Sequence, residues 1–152
     1  GLTPQQVVIL ASIVEEATDK KEDKGNIAIV CLNRIQKGMR LGADPTVKFA
    51  LRDFGLKRIY NKHLDVESPY NTYRVSGLPP GPICTPQLET IEAVLHAPET
   101  NYLYFVAKAD FSGSSVFAET YEQHLQYAKA YQQALDNYLK AKNNSADTGS
   151  KP

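Results

Sequence analysis

Two carboxylates side by side, Glu15 and Glu16, close the stretch VVILASIVEEA at residues 7–17. The residues before them are almost all apolar, so the acids emerge from a segment that reads as buried. A carboxyl at the end of an enclosed helix loses its water, which disfavours the anion and raises the pKa toward the range useful for proton donation at neutral pH. The partial negative charge of a helix C-terminus pushes the same way. That is the chemistry of a general acid. The competing reading leaves both side chains in water, paired with Lys20 or Lys21. With about 100° between successive helix residues, Glu15 continues the line of Val8, Ala11 and Ser12, while Glu16 lies over Ile9, Ser12 and Ile13. Neither is plainly the solvent-facing one. The two diverge too far to act as the paired carboxylates of a hydrolytic glycosidase.

Other reactive side chains offer less. Ser12 has no neighbouring His and no GxSxG context, so nucleophilic catalysis has little support. His63 and His96 read as structural or solvated, and His124 either lies on the surface or covers a cleft. Cys31 in IAIVCL and Cys84 in GPICTP lack the CxxC spacing of a metal site and read as independent small hydrophobes. No phosphate-binding glycine loop is present. Tyr70 and Tyr73 in YNTY precede the proline-rich GLPPGPICTP, and their rings could stack on sugars while Asn71 and Thr72 bond hydroxyls or amides. Core packing would use the same tyrosines.

The elements that must position these residues come from pattern. Thr3, Pro4 and Gln6 form a capping-box signature for a helix ending near Ala17, apolar on every face. The polar run TDKKEDKG reads as a solvated turn. A second helix spans about Glu22 to Lys37, stopped by Gly38. Asp44 then caps, with Pro45 following, a short helix TVKFALRDF that Gly55 closes. LKRIYNKHLDVESP has weak periodicity, YNTYRVSG suits a short strand, and GLPPGPICTP must be a rigid loop. Thr85 and Pro86 open a helix QLETIEAVLHA that ends before Pro98. NYLYFVA and SVFAE read as antiparallel strands joined by DFSGSS. Thr120 and Gln123 box the start of a last helix reaching about Lys142, and NNSADTGSKP reads as disordered. The expectation is a single α+β domain over residues 1–142, several helices packed with a small antiparallel sheet, and a tail over 143–152.

Composition narrows the partners. The chain has 152 residues, and 17 basic side chains balance 17 acidic ones, so no bulk field exists to hold nucleic acid. A neutral or mixed-charge ligand fits better. No segment is apolar enough to insert in a membrane, and a start at Gly1 suggests a fragment of a longer protein.

SIVEEAT, CLNR, GMRL, ADPTV, SPYNTY, GLPPGPI, NYLYFVA and the FAETYEQH segment occur in an order and spacing similar to the endolytic murein transglycosylase, or YceG-like, family. The resemblance runs from about Val8 to Leu139. It implies a bacterial envelope enzyme on the periplasmic side of the inner membrane, its anchor lying outside this fragment. Such enzymes cut peptidoglycan glycan strands between N-acetylmuramic acid and N-acetylglucosamine without water, leaving 1,6-anhydro ends. One Glu serves as acid and then base, no metal or cofactor is required, and cell-wall synthesis proteins are expected partners beside the glycan. A tethered hydroxyl already has a high effective concentration, so a single carboxylate suffices.

Carried over by position, the resemblance marks Asn33, Arg34, Asp44, Thr46, Tyr70, Asn71, Thr72 and Tyr73 as cleft-lining. It also marks Gly77, Leu78, Pro79, Pro80 and Gly81, and makes His124 similar to the family's closing His. The family pattern at the first helix end resembles S-I-V-E-x-E-T, with the second Glu usually catalytic; Ala17 stands there, Glu15 matches the first Glu and Glu16 the variable position. Glu15 is thus the expected acid, with Glu16 as the other carboxylate. A peptidoglycan-binding domain weakened or inactivated at Ala17 is the alternative.

Overall fold

The computed structural model describes residues 1–53, 55–56 and 59–149, with side chains described as far as residue 144. Its elements are α1 (Pro4–Ala17), α2 (Lys21–Gln36), α3 (Asp44–Leu51), a 3-10 turn at Asn61–His63, α4 (Leu88–Leu95), β1 (Tyr104–Ala107), β2 (Ser115–Ala118) and α5 (Tyr121–Gly149). This is an α+β protein. The elements group into two compact units, residues 1–103 and 104–152.

In the first unit, α1 starts as its sequence predicts. Thr3 Oγ1 accepts the Gln6 N–H, Gln6 Oε1 accepts the Thr3 N–H, and Pro4 occupies the first turn, where its missing N–H costs nothing. Leu10, Ile13 and Val14 are buried with Ile27, Val30 and Val47. Each such side chain contributes about 1.5–3 kcal/mol of transfer free energy, which places α1 at the centre of this unit.

The run TDKKEDKG is not a solvated turn throughout, because α2 begins within it and buries Asp23 and Lys24. Lys24, Ile27, Ala28 and Cys31 share one helical face, so the ammonium is drawn inward with the apolar residues. The helix ends as expected: Gly38 adopts φ +73°, and the Met39 N–H returns to the Arg34 carbonyl.

Two local expectations are corrected around α3. Ala43, not Asp44, is the N-cap residue, and the helix closes at Arg52 in the left-handed region (φ 54°) rather than at Gly55. Phe54, the last residue expected in that helix, lies outside the described residues, as do Lys57 and Arg58. YNTYRVSG forms turns instead of a strand. The cause is Asn71, whose amide donates to the Leu64 and Val66 carbonyls while its Oδ1 accepts the Tyr73 N–H, folding the chain on itself. The helix expected from Thr85 and Pro86 begins later, at Leu88.

In the second unit, β1 and β2 pair antiparallel, with Phe105 opposite Phe117 and Val106 opposite Val116. NYLYFVA is strand only from Tyr104 onward. The residues before it belong to the first unit, where the carbonyls of Thr100, Tyr102 and Leu103 accept from the Asn33 and Arg34 side chains. Thr120 Oγ1 accepts the Gln123 N–H at the start of α5. That helix continues past Lys142 to Gly149, because no proline or glycine interrupts it earlier; residues 150–152 of the expected disordered tail lie outside the described residues. Among the described residues no helix is long and apolar enough to cross a membrane.

Candidate active site

The site is built around the last turn of α1. Ser12, fully buried, donates from Oγ to the Ile9 carbonyl and accepts the Ile83 N–H at 3.0 Å. Cys84 Sγ donates to the Ser12 carbonyl at 3.4 Å. These bonds lay the proline-rich segment along α1. Gly77, at φ +79°, makes the turn into it, a conformation open to glycine at no steric cost. Gly81 serves a different purpose: a Cβ there would stand 2.8 Å from the Tyr70 hydroxyl, which would have to move.

The second wall comes from α3. Thr46 Oγ1 donates to the Ala43 carbonyl and lies 2.8 Å from Thr72 Oγ1, which also accepts the Ala43 N–H. This buried knot ties YNTY to the start of α3. The rings of Phe49 and Tyr70 meet at 4.7 Å between centroids. Between the walls lies a pocket of about 120 Å³ lined by Glu16, Pro45, Lys48, Phe49 and Ile83. Well-formed ligand pockets are several times larger, so this one suits a single substituent of a longer ligand lying across the surface.

The two glutamates have different surroundings. Glu15 Oε1 accepts both the Gln87 N–H at 2.8 Å and the Thr90 hydroxyl at 2.9 Å, and Oε2 lies 3.6 Å from Lys24 Nζ. Partial burial raises its pKa, but the Gln87 and Thr90 hydrogen bonds and the Lys24 charge outweigh that and hold it below the usual carboxylate value. The direction is opposite to the rise expected from burial alone, and the lysine that faces Glu15 is Lys24 rather than Lys20 or Lys21. Glu16 is exposed and forms part of the pocket wall. Ala17, partly buried, ends α1 with a methyl group.

Several of the residues expected to line a cleft make hydrogen bonds inside the protein. Asn71, Thr72 and Thr46 are fully buried. Asn33 and Arg34 hold the backbone at Thr100–Leu103, and Arg34 also donates to the Arg40 and Leu41 carbonyls. Asp44 is exposed and accepts the Tyr73 hydroxyl. Pro79 is buried, Gly77, Leu78 and Gly81 are partly exposed, and Pro80 is exposed. In the second unit, His124 stacks on Tyr104 with ring centroids 5.1 Å apart. The reading of the sequence missed Lys48 and Phe49, which follow Asp44 by one helical turn, and Lys24 and Thr90, which hold Glu15. Helical spacing was the available signal for the first three.

The thiols are not joined. Burial pushes Cys31 up to about 12, and burial followed by the Glu16 charge pushes Cys84 up to about 11, so neither is a ready nucleophile. Among the described residues no cluster of His, Cys, Asp or Glu could hold a metal ion.

Sequence comparison matches residues 1–130 to the YceG-like family. The chain belongs to the YceG-like family. Over 138 residues it is 39% identical to the endolytic murein transglycosylase of Bacillus subtilis, covering 91% of this chain and 36% of that protein. The endolytic murein transglycosylase of Streptococcus pneumoniae is 33% identical over 128 residues, covering 82% of this chain and 23% of that protein. A crystal structure of a YceG-like protein from Listeria monocytogenes superposes with a TM-score of 0.76 at 39% identity, covering 80% of this chain and 39% of that one. This YceG-like chain thus spans about a third or less of the length of the curated relatives it matches.

Proposed function

We propose that this chain handles the glycan strand in a lytic murein transglycosylase, cleaving between N-acetylmuramic acid and N-acetylglucosamine. The observation that carries the reading is the pocket at the tip of α1, where Glu16 shares a wall with Lys48, Phe49 and Ile83. With Glu15 occupied, Glu16 is the carboxylate available to the reaction.

In the proposed reaction the Glu16 carboxyl gives its proton to the glycosidic oxygen as the C1–O bond breaks. The resulting carboxylate takes the proton from the muramic acid C6 hydroxyl while that oxygen bonds to C1. Proton and electron pairs balance without water, and a 1,6-anhydro end results. The setting is the periplasmic side of the inner membrane, within a longer, membrane-anchored protein acting beside cell-wall synthesis proteins.

Ala17 favours a second reading, a glycan-binding domain without turnover, because a methyl group stands where the family pattern leads one to expect the catalytic Glu. Mass spectrometry of purified sacculi after digestion separates the two. Anhydromuropeptides from the wild type, lost in Glu16→Gln, support cleavage. Sacculus binding without products, with turnover gained in Ala17→Glu, supports the second reading.

A further inference from the structure

We propose that Glu15 is the positioning residue of this site, a carboxylate that caps α4 from a distance and thereby fixes the last turn of α1 that carries Glu16. The proposal rests on the lytic reading for its kinetic consequence only. Its geometry stands alone.

The first turn of α4 lacks a cap of its own: Gln87, its N-cap residue, makes no side-chain cap bond. The first N–H groups of a helix have no partner within it, and with the positive end of the helix dipole they favour an anion. Glu15 supplies it through space, with Oε1 accepting from Gln87 N and from the Thr90 hydroxyl. Thr90, fully buried, accepts in turn from Lys24 Nζ at 2.7 Å. Lys24 is 3% exposed and faces Glu15 at 3.6 Å and Glu89 at 3.4 Å. One carboxylate therefore joins α1, α2 and α4. Glu16 follows it directly, about 100° around the helix, so holding Glu15 against α4 fixes the direction of Glu16 along the wall shared with Lys48 and Phe49.

The two functions of the Glu15 side chain, accepting and carrying charge, separate by substitution. Glu15→Gln keeps an oxygen for Gln87 and Thr90, whereas Glu15→Ala keeps nothing. Thr90→Val removes the hydroxyl at nearly constant volume.

The test has two arms. Hydrogen exchange reports on geometry: Glu15→Ala and Thr90→Val should speed exchange at residues 16–18 and 87–90 together by about tenfold, and Glu15→Gln should restore protection. Unchanged exchange in Glu15→Ala overturns the proposal whether or not the chain turns over. Digestion of sacculi reports on the reaction: Glu15→Ala should lower kcat by about tenfold or more with little change in KM, Glu15→Gln should stay within about threefold of wild type, and a core control, Ile27→Val, should leave kcat unchanged. Loss of all turnover in Glu15→Gln with protection intact would instead make Glu15 the acid and overturn the positioning role. Absence of products from the wild type would sink the lytic reading while the exchange arm still decides this one.

Discussion

The hydroxyl of Tyr73 donates to the carboxylate of Asp44 at 2.5 Å, tying the end of YNTY to the first turn of α3. Burial first, then this carboxylate, raises the phenol above its ordinary value of 10.0, and the Arg34 charge only partly opposes them. Tyr73→Phe should cost about 1 kcal/mol in urea denaturation at neutral pH. The folded state holds this proton more tightly than the unfolded chain, so the stabilisation is complete below the ordinary tyrosine value and is lost as pH rises through the folded one. The variant should lack that alkaline decline, which urea titrations at neutral and strongly alkaline pH will show.

Glu15 gives the opposite sign. Its carboxyl is depressed below the ordinary 4.5, because the Gln87, Thr90 and Lys24 interactions together outweigh burial. Its stabilisation is present above the unfolded value and disappears as pH falls through the folded one. Glu15→Gln should therefore show a shallower loss of stability on the acid side than wild type, measured by denaturation at a series of pH values below 5, on the order of the carboxylate reference.

Asn71 carries the turn that replaces the expected strand. Asn71→Ala would leave the Leu64 and Val66 carbonyls and the Tyr73 N–H without their partner. At about 1–3 kcal/mol for a buried polar group left unmet, a total loss of about 3 kcal/mol or more is expected. Chemical denaturation monitored by circular dichroism measures it.

Cys84 reports on Glu16. After burial, the Glu16 charge and hydrogen bond are the next causes of its raised pKa. Glu16→Gln should speed alkylation of Cys84 by iodoacetamide at mildly alkaline pH by roughly threefold or more, since the thiolate is the reactive form. Cys31, buried and pushed up to about 12, should stay unmodified in the folded protein. Peptide mapping distinguishes the two.

What was legible in the sequence was local. Thr3, Pro4 and Gln6 act within one turn, so the start of α1 could be read directly, and the aromatic and β-branched residues on either side of DFSGSS placed the hairpin. The partners of Glu15 lie 72 and 75 residues further on, and no local pattern shows which helix end a carboxylate will meet. Without them the burial argument predicted the wrong direction for its pKa. YNTYRVSG alternates like a strand, but a strand needs a neighbour, and Asn71 supplied side-chain bonds in its place. Lys24 was misread because its charge outweighed its helical spacing, although that spacing matches Ile27, Ala28 and Cys31.

Ser12 links two parts of the molecule that differ in mechanical character. Its hydroxyl and carbonyl receive the Ile83 amide and the Cys84 thiol, while the stretch from Gly77 to Ile83 contains neither helix nor ladder to stiffen it. Warming loosens the least cross-braced part first. That rim should slacken while the helical scaffold still gives a native spectrum, so the shape of the surface beside Glu16 should be lost well before the chain melts.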